Sequence, residues 1–234
     1  MTDSSDPFAG IDWPEQKSPP TDVGVRIRQI CTSDKRRFRP KGVSARVIRS
    51  IALSGALFGI LLAFGWQRHP PRQAIALALG GALVWGIAQA SVIVVGFGRS
   101  PGKRVHRWLR WGVVLAVSAA FFLHLTLASD STLPIRDFLT APRSIHHTVV
   151  CGLHALIFGT LAIAALFFVW RRSDPFSPRL SGAVSGLAGG LVGAVALDMT
   201  CPHLEAWHLW IGHGLTLLAL VAMGWYAGRR WLAP

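Results

Sequence analysis

Two cysteines and a group of histidines in the second half of the chain are the side chains best suited to chemistry. Cys151 and Cys201 stand 50 residues apart. His146 and His147 precede the first of them, and His154 follows it by three positions, on the same face if the segment is helical. Asp198 precedes Cys201 by three positions, while His203 and His208 follow it. Thiolate, imidazole and carboxylate are the ligands of zinc and related divalent metals. Two thiols on an oxidising side can instead form a disulfide. No compact Cys-x-x-Cys pair occurs, so any site must be assembled from separate elements. A third reading remains open: the thiols are small apolar core groups and the histidines are interfacial amphiphiles. Bis-histidine haem ligation, from His154 or His213 for example, is compatible with a helical bundle, but nothing in the spacing requires it.

The elements that must position these groups follow from composition. Of 234 residues, 51% are hydrophobic and 15% charged, against about 25% charged in a soluble domain. The apolar residues fall in six blocks of roughly 20 with almost no internal charge, which is the pattern of membrane-spanning helices. The spans are read as 47–66, 73–97, 109–128, 148–170, 180–199 and 207–227. Tryptophans at several boundaries, among them Trp66, Trp108, Trp170 and Trp207, fit an interfacial belt. The pattern excludes a water-soluble domain, and also a β-barrel, whose strands would alternate in polarity. The expected fold is an all-α bundle of six transmembrane helices over residues 47–230, preceded by a polar tail over 1–46. Glycines 182, 186 and 190, with 189 and 193 beside them, form a small-residue ridge in the fifth span for close packing within the bundle. Gly55 and Gly59 form a shorter copy in the first.

The formal net charge of +13 invites a nucleic-acid reading, but its distribution favours topology. With the N-terminus cytoplasmic, 20 of the 24 lysines and arginines fall in the tail and inner segments. Only Arg68, Arg72, Arg136 and Arg143 fall outside. Both termini are therefore expected in the cytoplasm, with Cys151 and Cys201 near the outer surface and Cys31 inside. Direct nucleic-acid binding is not expected. The acidic opening Asp3-Ser4-Ser5-Asp6 does not read as a secretory signal. Residues 1–22 carry a balance of −4 with four prolines and read as disordered. Residues 23–46 carry +7, and Val25, Arg26, Ile27 and Arg28, followed by Arg36 and Arg37, suit either an acidic, partly apolar protein face or anionic lipid. The basic segments 99–110 and 171–179 extend that surface.

No phosphate-binding glycine loop, His-Glu-x-x-His helix or Gly-x-Ser-x-Gly elbow is present, so an enzyme is not expected. The last third instead carries an ordered set of motifs. It runs from Cys151 through Trp170-Arg171-Arg172 and Pro178-Arg179-Leu180-Ser181-Gly182 to the Gly/Ala-rich stretch 186–194. Cys201-Pro202-His203, Trp207-His208 and Gly228-Arg229-Arg230-Trp231 complete it. Over about residues 148–231 this resembles the NrsF-like family of six-span bacterial inner-membrane proteins, negative regulators of extracytoplasmic-function sigma factors. His208 stands here where that family usually has an aromatic residue. The resemblance implies an anti-sigma factor of the inner membrane whose partner is such a sigma factor. It also implicates Cys151 and Cys201 in sensing a periplasmic-side stress, by a disulfide or by zinc or another divalent metal.

Overall fold

The computed structural model describes residues 42–68, 75–100, 103–129 and 142–234. Val25, Arg26, Ile27, Arg28, Cys31, Arg36 and Arg37 lie outside the described residues. Six long helices account for nearly all of the rest: α1 Val43–Arg68, α2 Ile75–Phe97, α3 Arg107–Ala128, α4 Pro142–Trp170, α5 Pro178–Asp198 and α6 Ala206–Trp231. All six are long and apolar enough to cross a bilayer. This is a membrane protein, all-helical among the described residues.

The helices begin or end some residues beyond the apolar blocks. Helix α1 starts at Val43 and takes in Arg46 and Arg49, and α4 starts at Pro142 and takes in His146 and His147. Hydropathy marks where the hydrocarbon ends, whereas the hydrogen-bond ladder continues through the interface. Pro142 and Pro178 occupy first-turn positions, where a missing N–H costs nothing.

Helix α5 is the axis of the bundle. Its most apolar stretch is 94% buried, against 22–44% for the other five. Its composition permits this, because Gly, Ala and Ser leave the backbone open to close approach. One glycine line meets α6: a Cβ on Gly182 would lie 2.8 Å from the Cα of Gly228, and one on Gly186 would lie 2.7 Å from the Cα of Val221. The second line meets α4, where a Cβ on Gly189 would lie 2.8 Å from the carbonyl oxygen of Gly159. Helix α2 completes the surround, with Gln89 Nε2 donating to the Ala188 carbonyl at 3.2 Å. Gly55 and Gly59 differ from expectation. A Cβ on either would meet nothing within 4 Å, so both face outward rather than into a helix contact.

Two stretches depart from α geometry. Leu191–Val195 in α5 and Leu209–Leu215 in α6 are π-helical. Such i→i+5 turns are uncommon and cluster at functional sites. Both lie at the end of the bundle that holds the cysteines.

Candidate functional site

Cys151 sits in the third turn of α4, and Cys201 in the short link between α5 and α6. Their Sγ atoms are 3.9 Å apart, and the two are not bonded to each other. His208, in the first turn of α6, brings Nε2 to 3.1 Å from Cys201 Sγ. Its other nitrogen, Nδ1, lies 3.0 Å from Thr148 Oγ1, one turn before Cys151 on α4. That contact fixes the ring and leaves Nε2 directed at the thiols.

His213 completes the group. In an α-helix, five residues rotate a side chain by about 140° away from its starting face. The π turn over Leu209–Leu215 closes that gap and brings His208 and His213 to the same side, with ring centroids 5.4 Å apart. His213 is fully buried, and neither ring nitrogen has a hydrogen-bond partner. One donor atom from each of Cys151, Cys201, His208 and His213 lies within 4.8 Å of every other. The Cys201 thiol is held above its ordinary pKa by its hydrogen bond with Cys151 and by burial, against the opposing effect of His208 and His213.

The other expected site residues fall elsewhere. His154 is exposed, with Nδ1 2.7 Å from the Val150 carbonyl oxygen of its own helix. His146 and His147 are exposed, and His147 stacks on His203 at 4.4 Å between centroids. His203 lies beside His208, 5.3 Å between centroids, outside the four-donor group. Asp198 pairs with His124 Nε2 at 2.8 Å, tying α5 to α3. Proximity in sequence therefore points to histidines outside the four-donor group, except for His208. His213 escapes a reading based on α-helical periodicity because the π turn places it.

The opposite end of the bundle carries a buried ionic cluster. Arg104 forms an ion pair with Asp174 and donates to Ser181 Oγ at 3.0 Å. Arg110 donates to Ser177 Oγ at 2.8 Å and to Ser181 Oγ at 2.6 Å. Burial would raise the Asp174 pKa, but the hydrogen bonds from Ser181 and from the Ser177 and Phe176 backbones, together with Arg104, hold it below the usual carboxylate value. Arg172, in the left-handed region at φ 54°, donates its N–H to the Trp231 carbonyl, which pins this turn to the end of α6. Arg104 and Arg110 are therefore internal ties, and the basic surface expected from segments 99–110 and 171–179 is smaller than its charge count.

Six apolar helices around a glycine-lined axis, with paired thiols at one end and a buried ion pair at the other, define a polytopic helical membrane protein. Residues 32–233 match the family described as negative regulator of sigma F (NrsF), and the chain belongs to that family. It is 26% identical over 206 residues to the anti-sigma-F factor NrsF of Caulobacter vibrioides (strain NA1000 / CB15N), covering 82% of this chain and 92% of that protein. No solved structure matches it.

Proposed function

We propose that this chain is an anti-sigma factor of the bacterial inner membrane with both termini in the cytoplasm. It sequesters an extracytoplasmic-function sigma factor at the inner face and releases it when a periplasmic-side stress acts on Cys151 and Cys201. The observation that carries this reading is the family match, which spans all six helices and both cysteines. The lysine and arginine distribution supports the orientation. The chain acts by binding, not by catalysis.

The docking surface is the basic segment 23–46, in which Val25, Arg26, Ile27, Arg28, Arg36 and Arg37 suit an acidic, partly apolar partner. A second reading, a metal-binding or redox membrane protein with no sigma partner, is favoured by the four-donor group alone.

A pull-down of the detergent-solubilised full chain with each extracytoplasmic-function sigma factor of the source organism separates the readings. Retention by the full chain, with loss on deleting residues 23–39, is the expected result. Equal retention after deletion moves the docking surface to the loops, and no retention by the full chain selects the second reading.

A further inference from the structure

We propose that Cys151, Cys201, His208 and His213 form a Cys2His2 site that binds one Zn2+ ion per chain. The inference deepens the sensing role suggested for the cysteines, but it stands on donor geometry and does not require a sigma partner.

Three observations converge on it. The first is spacing. With Zn–S bonds of about 2.3 Å, two thiolates on a tetrahedral zinc stand about 3.8 Å apart. The Sγ atoms here are 3.9 Å apart, far longer than a disulfide of about 2.05 Å. All four donors fit within the same 4.8 Å envelope. The second is His213, which is fully buried with both ring nitrogens unpaired. A buried imidazole whose nitrogens make no hydrogen bond pays a desolvation cost. A cation at the centre of the group supplies the missing partner. The third is the outer shell. Thr148 holds His208 Nδ1, which directs Nε2 inward, as the second nitrogen of a metal-binding histidine is usually held.

The donor types select the ion. Two thiolates and two imidazoles form a borderline-soft tetrahedral set that suits Zn2+ and disfavours Mg2+ and Ca2+, which require oxygen ligands. The four donors leave no open coordination position, so the site is of the structural rather than the catalytic kind. On binding, each thiol releases its proton to water and contributes a thiolate, so the four ligands carry two negative charges that balance the ion.

The test uses the full chain in detergent, stripped with chelator and reloaded with Zn2+, or with Co2+ as a spectroscopic probe. The expected result is one zinc per chain, with X-ray absorption showing two sulfur and two nitrogen neighbours. Co2+ should show the intense visible bands of a tetrahedral ion with thiolate charge transfer. His213→Ala and Cys151→Ser should each weaken Zn2+ binding at least 100-fold, while His154→Ala and His147→Ala leave it unchanged. Failure of the wild-type chain to bind zinc, or a neighbour count without two sulfurs, overturns the site without recourse to any variant. Unchanged zinc affinity in a monodisperse His213→Ala protein removes His213 from it. The sigma pull-down is read separately, so failure of either proposal is visible without the other.

Discussion

Thr148 holds the ring of one proposed ligand by the nitrogen that faces away from the thiols. Its Oγ1 lies 3.0 Å from His208 Nδ1. Thr148→Val keeps the shape and removes the hydrogen bond, so the imidazole can rotate or change tautomer. Loss of such an outer partner typically costs 10–100-fold in metal affinity. A Zn2+ competition titration on Thr148→Val should therefore show a loss of about 10–100-fold, with the same sulfur and nitrogen count as the wild type. An unchanged affinity would mean that packing, not Thr148, orients His208. The residue scale also explains why His208 matters in this chain. Its Nε2, 3.1 Å from Cys201 Sγ, adds a nitrogen donor beside the two thiols.

At the scale of the element, the glycines of α5 and of α1 do unequal work, and this is measurable. A methyl group on Gly182 meets the backbone of Gly224 and Gly228, which cannot move without separating α5 from α6. Gly182→Ala should destabilise the folded protein by about 1–3 kcal/mol, the usual cost of overpacking a close contact. Gly55→Ala, with nothing within 4 Å of the new methyl, should be neutral or slightly stabilising through helix propensity. Thermal unfolding in one detergent compares the two, and equal effects would sink the axial role of α5. Much of this element was legible in the sequence, because uncharged apolar blocks and a four-residue glycine spacing report spans and close packing directly. The site was half legible. Topology alone places Cys151 and Cys201 at one depth, and His208 enters from its place near the start of the sixth span. His213 does not, since only a local change from α to π winding brings it round. His146, His147 and His154 are nearer in sequence but turn outward, because α4 spends its inward face on Thr148, Cys151 and Ala155. The Arg104–Asp174 pair was equally hidden, since a lysine and arginine count does not distinguish a solvated arginine from a buried one.

For the whole molecule, the proposed function asks how an event at the cysteine end would reach a partner bound at the arginine end. Helix α5 is the continuous element between them. Ser181, near its start, accepts from Arg104 and Arg110 and donates to Asp174, while Cys201 follows its end directly. Because α5 is packed through backbone against α4 and α6, small shifts at one end have no soft side chains to absorb them. Coupling through such a helix requires two arrangements of the bundle that both ligands discriminate. If zinc at the four-donor site and a sigma factor at the opposite face bias the same equilibrium, each must alter the other's affinity by an identical factor. For couplings of about 1–3 kcal/mol that factor is about 5–150-fold. The expected outcome is that chelating zinc from the purified chain changes sigma-factor affinity by a factor in that range. Saturating sigma factor should change Zn2+ affinity by the same factor in the opposite sense, so that if removing zinc weakens sigma binding, adding sigma factor tightens zinc binding. Replacing both Cys151 and Cys201 by Ser should leave sigma binding intact while removing its dependence on the ion. Equal sigma affinity with and without bound zinc would leave the two ends thermodynamically independent, and α5 a structural axis only.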